Sequence, residues 1–213
     1  MSDTIDRAVD VLAGRTIALL TGAGISTDSG IPDYRGQGAP RRNPMTGQQF
    51  LADEAARRRY WIGSHLGWRS FSKASPNAGH RAAAALEAAG VVTGVVTQNV
   101  DGLHLRAGSS RVVDLHGSMN RVSCVRCVQT YARADISVTL ERDNPWITVS
   151  SEVILGPDGD VLPETADGFI VPVCTVCGGM LKPDVVFFGE FVPAEKFREA
   201  EAIVHGSEAL VIA

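Results

Sequence analysis

Short, unbroken apolar runs alternate along the chain with stretches in which apolar residues recur at helical spacing. The runs have the length and composition of parallel strands that are buried on both faces, and they are residues 16–20, 91–97 and 112–115. The helix-like stretches are residues 6–12, about 50–68, 80–89 and about 193–205. Because strands and helices alternate, the pattern predicts an α/β fold with a doubly wound parallel sheet.

The pattern changes between residues 122 and 182. This stretch holds all four cysteines and a turn sequence, Gly156-Pro157-Asp158-Gly159, and it shows no clear helical spacing. It predicts a small inserted module of short strands and turns. An apolar segment at 185–188 then returns the chain to the sheet. The expected division is 1–121 for the sheet domain, 122–182 for the inserted module and 183–213 for the return to the sheet domain.

The last six residues, 208–213, have the composition of a central strand that is buried on both faces. The helix before them carries an apolar stripe of Phe197, Ala200 and Val204, which requires a covered sheet face. We therefore expect that the C-terminal part of the sheet is missing, and that these 213 residues are a fragment of a longer chain or its ordered part.

Composition and charge narrow the class of protein. A hydrophobic fraction of 45% and a charged fraction of 21% argue against a disordered or fibrous chain. The net charge of -4 is spread over interspersed residues, so we expect no basic surface for nucleic acid. The N-terminal residues lack the apolar core of a signal peptide, and no run approaches the ~18 apolar residues of a membrane span. We expect a cytoplasmic protein that binds neither nucleic acid nor membrane.

The four cysteines form two pairs, Cys124-x-x-Cys127 and Cys174-x-x-Cys177. Two such knuckles place four thiolates tetrahedrally, which is the structural arrangement for zinc. Residues 128–173 separate the pairs, a longer gap than the ~15–20 residues of a compact zinc ribbon, so the excess predicts a loop. Two redox-active pairs are the alternative interpretation.

Polar residues follow each of the three predicted strands, at 22–26, 98–101 and 116–118. Ligands bind at the carboxyl ends of parallel strands, so these residues are expected to line one cleft. His116 adds a group that titrates near neutral pH. A lone histidine is more often a turn residue, but its coincidence with two other polar strand ends favours a functional role.

The first of these strand ends carries a glycine turn, Gly22-Ala23-Gly24. Such a turn lets backbone N–H groups approach a phosphate. Thr27 stands where the third glycine of a complete G-x-G-x-x-G motif would lie, so a tight structural turn is an equal alternative.

Several motifs together closely resemble the sirtuin family, and they occur in the family's order. They are residues 22–35 (GAGISTDSGIPDYR), 97–101 (TQNVD), the His116-Gly117 pair, the four cysteines and residues 182–190 (KPDVVFFGE). Tyr60-Trp61, Gly67-Trp68 and the long insertion between the cysteine pairs most resemble the class II branch.

The resemblance implies a Rossmann-like sheet with a small module that holds one structural zinc ion, and a binding site for NAD. The implied cofactor-binding residues are Gly22, Ala23, Gly24, Ser26, Thr27, Ile31, Asp33, Tyr34, Arg35, Gln98, Asn99 and Asp101. The implied catalytic residues are His116 as general base, Asn99 and Asp101. The implied substrate strand is Val185, Val186, Phe187 and Phe188, with Tyr34 and His116 completing an apolar tunnel for the acyl-lysine. The metal ligands are Cys124, Cys127, Cys174 and Cys177.

The implied activity is NAD-dependent deacylation of lysine in a protein or peptide, with transfer of the acyl group to ADP-ribose and release of nicotinamide. The enzyme would therefore transfer the acyl group, and it would also cleave the amide bond that joins this group to lysine. Protein mono-ADP-ribosylation is an alternative, and a non-catalytic NAD or ADP-ribose sensor is another. Because the family continues beyond position 213 with strands that hold the adenosine, we expect the 213 residues alone to bind NAD weakly or not at all.

The resemblance also bears on the acyl group. Sirtuins that prefer acidic acyl groups carry a Tyr-x-x-Arg pair beside the tunnel, and the corresponding positions are Ser64 and Gly67. Without that arginine a buried carboxylate lacks its partner, so neutral acyl groups are expected over succinyl or malonyl. Arg69, two residues beyond Gly67, is the residue that would overturn this expectation.

Overall fold

The structure is a computed structural model that describes residues 2–34, 36, 44–147, 156–161 and 166–213. Its parallel sheet has the strand order β3-β2-β1-β7, and a smaller antiparallel sheet has the order β5-β4-β6. The strands are β1 Ile17–Thr21, β2 Val92–Thr97, β3 Val112–Asp114, β4 Gly117–Cys124, β5 Thr130–Ala132, β6 Leu181–Val185 and β7 Ala209–Ile212.

Helices connect and cover these strands. They are α1 Ser2–Leu12, α2 Gly47–Ala52, α3 Glu54–Phe71, α4 Ala78–Ala88, α5 Leu103–Ala107, α6 Arg133–Asp143 and α7 Ala194–His205, and a 3₁₀ helix spans Ala23–Ser29. In the part of the chain that the structure describes, no helix is long and apolar enough to cross a membrane.

The parallel pairing brings the carboxyl ends of three strands to one edge of the sheet. Thr21 at the end of β1 lies beside Thr97 at the end of β2, and Thr97 lies beside Asp114 at the end of β3. Ala18, Val95 and Val96 between them are buried, as the apolar runs predict. The predicted α/β fold with a parallel sheet is confirmed.

The helix predicted at about 50–68 is two helices that meet at Asp53. The Asp53 carboxylate accepts hydrogen bonds from the backbone N–H groups of Ala55 (2.8 Å) and Ala56 (3.2 Å), so it caps α3. Because Asp53 itself has an extended backbone, α2 ends there and the chain turns.

The expectation of no helix between 122 and 182 is wrong, because α6 lies there. Its buried face consists of Arg133, Ile136, Ser137 and Leu140, which have helical spacing. Two of these four side chains are polar, so apolar residues alone do not show the period. Because a buried arginine and a serine bonded to it occupy two of these positions, the hydrophobicity pattern does not reveal the helix.

Within the described residues, β7 pairs with β1 and lies at the edge of the sheet, with Leu210 44% and Ile212 74% exposed. Whether it is a central strand of a longer chain stays a prediction. The buried face of α7 differs from the expected stripe. Ala200 and Ile203 are buried, whereas Phe197 is 55% exposed. Ile203 fits against Gly94 of β2, where an added Cβ would lie 2.9 Å from its Cδ1.

The largest apolar core joins the inserted module to α2 and α3. It contains Cys124, Cys174 and Leu140 from the module together with Trp61 of α3 and Phe50 of α2. A separate cluster lies between α7 and the parallel sheet. The division of the chain at residues 121 and 182 stays a prediction.

Gly117 links the two sheets. It begins β4 with φ +79°, and a Cβ at this position would lie 2.1 Å from the carbonyl oxygen of Asp184. Only glycine allows both the left-handed backbone and this close approach of β6.

We predict that Gly117→Ala lowers the free energy of unfolding by about 3 kcal/mol, because backbone strain and a backbone clash add. Gly14→Ala is the matched control, since Gly14 has φ +73° but open space around its Cβ position. That control should cost only about 1 kcal/mol, the strain of the left-handed backbone. Urea unfolding measures both, and equal losses would show that the approach of Asp184 is not a constraint.

Candidate active site and metal centre

The glycine turn leads from β1 into the 3₁₀ helix Ala23–Ser29. Gly22 is extended, and its N–H donates to the Ala213 carbonyl (3.2 Å). The N–H groups of Ala23 and Gly24 make no hydrogen bond within the described residues, since they are the first two of the helix. Thr27 donates its hydroxyl proton to the Gly24 carbonyl (2.9 Å) and fixes the turn. The turn therefore offers two free donors at the end of β1.

A buried polar cluster joins the ends of β1 and β2. The Ser26 hydroxyl donates to Asp101 Oδ2 (2.7 Å), and Asn99 Nδ2 donates to the Ser26 oxygen (3.0 Å). Asp101 Oδ1 accepts the N–H of Leu103 (2.8 Å), which fixes the carboxylate. Ser26, Asn99 and Asp101 are each at most 9% exposed. The structure thus brings together three residues that the sequence predicted for one site. Asn99 Oδ1 accepts no hydrogen bond from any of the residues that the structure describes.

The segment after the 3₁₀ helix carries four of the predicted residues. Ile31 is buried, and Asp33 accepts the Gly36 N–H (2.6 Å) through Oδ1, which closes a turn. Tyr34 donates its hydroxyl proton to Asp158 in the inserted module, and burial together with that carboxylate raises the pKa of Tyr34. Arg35 lies outside the described residues.

A layer of polar side chains beneath the cleft was not predicted. His104 Nε2 lies 3.0 Å from the Thr21 hydroxyl, which donates to Thr97 Oγ1 (2.9 Å), and the His80 ring is 4.8 Å from the His104 ring. Burial, helped by the neighbouring His80, lowers the pKa of His104 to about 4. Burial also lowers the pKa of His80, so both rings are neutral at pH 7 and stabilise the strand ends without a charge. Histidines on two helices gave no sequence signal, because only folding brings them together.

Asn77 makes a second contact that the sequence did not predict, with the glycine turn. It caps α4, and its Nδ2 donates to the Ile25 carbonyl (2.7 Å), so the start of α4 is fixed to the glycine turn.

His116 occupies the connection between β3 and β4 and is half-buried. Its Nδ1 lies 3.0 Å from the carbonyl oxygen of Gln98, which is an obligate acceptor, so Nδ1 carries the proton. The Nε2 atom then holds a lone pair and has no hydrogen-bond partner among the described residues. Gln98 in turn donates its N–H to Thr21 (3.0 Å). The three polar strand ends are therefore connected, as the sequence predicted.

The predicted substrate segment, 185–188, is only partly a strand, because β6 ends at Val185. The N–H of Val186 donates to the His116 carbonyl (2.9 Å), which holds the segment beside the histidine. Two further side chains shape it. Lys182 Nζ donates to the Val185 carbonyl (2.6 Å), and Glu190 Oε2 accepts the Phe187 N–H (2.9 Å).

Lys182 and Glu190 also form an ion pair with each other, with Nζ 2.9 Å from Oε2. The two charges therefore neutralise one another where both hold the backbone of the loop. Both residues belong to the motif at 182–190, but the motif alone did not indicate this ion pair.

The predicted tunnel residues divide into two groups. Phe188 is half exposed, and its ring centroid lies 6.4 Å from that of Tyr34. Phe187 is 7% exposed and packs against Phe50 (5.1 Å) and Tyr60 (5.1 Å) in the core. Tyr34 and Phe188 thus meet as predicted, whereas Phe187 anchors the segment from behind.

The side of α3 that bears Ser64 and Gly67 is buried against α6. Arg133 of α6 is fully buried, and its guanidinium donates to the Ser64 hydroxyl and carbonyl, each at 3.2 Å, and to Ser137 Oγ (2.7 Å). Arg69 points elsewhere, since its guanidinium lies 3.7 Å from Glu141 and the side chain is 59% exposed.

The four cysteines converge in the inserted module. Their sulfur atoms all lie within 4.8 Å of one another, and the closest pairs are Cys124–Cys177 (3.5 Å) and Cys127–Cys174 (3.6 Å). Thiolates bound to one tetrahedral zinc ion lie about 3.8 Å apart, so the spacing fits zinc and is too long for a disulfide. The Tyr131 hydroxyl, 3.1 Å from Cys174 Sγ, supports the group from outside. The predicted structural zinc site is confirmed.

Fold and site together define an α/β protein with a polar cleft at the carboxyl ends of its parallel strands and a separate four-cysteine metal centre. The Sir2 family model matches residues 22–213. The chain therefore belongs to the Sir2 family, the sirtuins, as its motifs predicted. Its place in the class II branch stays a prediction.

This chain is similar to several curated proteins over most of their length. The NAD-dependent protein deacetylase 1 of Mycobacterium avium is 53% identical over 209 residues, which cover 96% of this chain and 74% of that protein. The NAD-dependent protein deacetylase 1 of Streptomyces coelicolor is 50% identical over 206 residues, with coverages of 95% and 69%. A solved structure of Sir2 with a p53 peptide and NAD+ superposes with a TM-score of 0.76 at 31% identity, covering 98% of this chain and 74% of that one.

We predict that Cys174→Ser loses stoichiometric zinc and loosens the core that the module shares with α3, because three thiolates hold zinc poorly. Val176→Ser is the control, since Val176 lies in the same knuckle but is 69% exposed and is no ligand. Metal analysis by mass spectrometry and a thermal melt measure the outcome. A Cys174→Ser protein with full zinc content and an unchanged melt would contradict the assignment.

Proposed function

We propose that this protein is an NAD-dependent protein lysine deacylase. It removes an acyl group from a lysine side chain of a protein or peptide and transfers that group to ADP-ribose as nicotinamide is released. The observation that carries the proposal is the convergence of the Ser26–Asn99–Asp101 cluster and His116 at one edge of the parallel sheet. A cytoplasmic location is part of the proposal.

The residues at the strand ends fit NAD. The free N–H groups of Ala23 and Gly24 suit phosphate oxygens, and the 3₁₀ helix adds positive potential at its start. The buried Asn99 Oδ1 and the Asp101 carboxylate are acceptors for the carboxamide N–H groups of nicotinamide, and Ile31 supplies an apolar contact. NAD, when bound, supplies the electrophilic ribose carbon. Ser26 holds Asn99 and Asp101 in place, because its hydroxyl bonds to both.

His116 is suited to act as the general base. Its Nδ1–H is held by the Gln98 carbonyl, so Nε2 is the atom that accepts a proton from a ribose hydroxyl. The same hydrogen bond fixes the ring orientation. Because Gln98 directly precedes Asn99, the base and the nicotinamide-binding residue are positioned by one stretch of backbone.

The segment 185–188 supports binding of the acyl-lysine. Its backbone is held by His116, Lys182, Glu190 and Gly47. Within the described residues no hydrogen bond reaches the Val186 carbonyl, which an added strand can use. The half-exposed rings of Tyr34 and Phe188 provide an apolar wall for the acyl-lysine stem.

The arrangement of α3 favours neutral acyl groups. Ser64 is already bonded to Arg133, and the guanidinium of Arg133 is stacked on Trp68 at 4.7 Å and is fully buried. Arg69 pairs with Glu141 at the surface. Neither arginine is free to hold the carboxylate of a succinyl or malonyl group, and a buried carboxylate without a partner is costly.

We predict that His116→Ala lowers the deacylation rate by at least about 10³-fold while NAD still binds, because a general base contributes about 10²–10⁴-fold. His205→Ala is the matched control, since His205 is an exposed histidine at the end of α7. Mass spectrometry of an acetyl-lysine peptide measures product, and calorimetry measures NAD binding. Near-normal turnover of His116→Ala would overturn the role of His116.

The same assay separates the proposed activity from its alternatives. Deacylation requires that nicotinamide release depends on the acylated peptide. Nicotinamide release with an unacylated protein, and a mass gain of ADP-ribose on that protein, would instead indicate mono-ADP-ribosylation. No nicotinamide release under any condition would indicate a sensor.

We predict that acetyl and longer neutral groups are removed at least about tenfold faster than succinyl or malonyl groups, a difference of about 1.4 kcal/mol. Peptides that differ only in the acyl group give the comparison by mass spectrometry. Arg69→Gln should leave the ranking unchanged, since Arg69 lies at the surface. Faster removal of succinyl, or a ranking that depends on Arg69, would contradict the prediction.

A further inference from the structure

A groove lies beside the proposed acyl-lysine site, between the end of β3, the start of β4 and α7. Its volume is about 510 Å³, and its lining includes Asp114, Leu115, Val186, Phe191, Pro193 and Lys196. The groove is next to the acyl-lysine segment, because Val186 lines it and donates its N–H to the His116 carbonyl (2.9 Å). A peptide bound at 185–188 therefore passes this groove with the residues that flank its acyl-lysine.

The charges around the groove are paired except for one. Arg121 pairs with Asp184 (2.7 Å), Lys182 pairs with Glu190 (2.9 Å), and Lys196 pairs with Glu199 (3.1 Å). Among the described residues, the carboxylate of Asp114 makes no hydrogen bond and no ion pair. The groove thus has one unpaired acidic group.

Asp114 is also partly shielded from water. Burial raises the pKa of Asp114 to about 6, although Lys196 and Arg121 act in the opposite direction. This carboxylate has lost hydration without forming an ion pair or hydrogen bond among the described residues, so a cation that reaches it is bound more strongly than at an open surface.

The rim of the groove is apolar. Phe191 is 95% exposed and stands directly after Glu190, and Leu115, Val186 and Pro193 add further apolar surface. An aliphatic stem along these side chains, ending in a cation at Asp114, is the shape and chemistry of lysine or arginine. A cation can also lie over the exposed ring of Phe191.

We propose that this groove binds a basic side chain of the substrate, close in sequence to the acyl-lysine, and that Asp114 is the residue that selects it. The inference rests on the proposed deacylase function. Asp114 acts on substrate choice through its charge, and it takes no part in the acyl transfer.

The test uses fluorescent acetyl-lysine peptides in which arginine, glutamine or glutamate is placed at each position within three residues of the acetyl-lysine. Fluorescence anisotropy gives Kd without turnover, and nicotinamide release gives kcat/KM. At one or two positions, arginine should bind about three- to tenfold more tightly than glutamine, the range of a partly buried ion pair. Asp114→Asn should bring that ratio close to one.

Glu201→Gln is the matched control, because it removes the same charge from an exposed position on α7 that does not line the groove. It should keep the arginine preference. Equal Kd for arginine and glutamine at every position, or a preference that survives Asp114→Asn, would overturn the inference. Failure of the proposed function gives a different result, because nicotinamide release would then be absent for every peptide while anisotropy still reports the charge preference.

Discussion

The hydrogen bond from the Val186 N–H to the His116 carbonyl joins the two halves of the cleft. On one side of it, the His116 ring is fixed to the carbonyl of Gln98 at the end of β2. On the other side, β6 and the segment 185–188 are brought so close to the connection between β3 and β4 that only a glycine fits at position 117. The proposed general base, the proposed nucleotide-binding strand end and the proposed substrate segment therefore share one backbone frame. Their relative positions rest on these backbone contacts, and the side chains of Lys182 and Glu190 add two hydrogen bonds to the segment.

The sequence predicted the features that depend on local pattern. Apolar runs predicted the parallel strands, because burial on both faces requires them, and the polar residues that follow these strands predicted the cleft. It did not predict features that depend on tertiary contacts. α6 was missed because Arg133 and Ser137 occupy buried positions on it. The neutral pair His80–His104 lies on two helices that only folding brings together. The prediction that Phe197 faces the sheet was wrong, because Gly94 of β2 makes room for Ile203 instead.

Among the described residues, Arg133 is a buried cation with no carboxylate within ion-pair distance. Its guanidinium stacks on Trp68 and donates to Ser64 and Ser137, and within the described residues only its Nε lacks an acceptor. Burial lowers its pKa to about 10, so the side chain stays protonated at neutral pH. A lysine could not replace it, because an ammonium group offers no flat face for the indole and no planar fork for two serines. The residue fixes the orientation of α6 against α3 by geometry.

The core that the metal module shares with α2 and α3 has a consequence for how the molecule opens. Cooperative units follow shared apolar contacts, so the cysteine knuckles, α6 and α3 should exchange their amide hydrogens as one unit. The strands β1, β2 and β3, which pack with α7, belong to a second unit. A third cluster, made of Ile31, Phe71, Val100, Leu103 and Met119, connects α3 and β4 to the segments that follow β1 and β2. A fluctuation that opens the cleft therefore has to loosen this connecting cluster, while the other two clusters can stay packed.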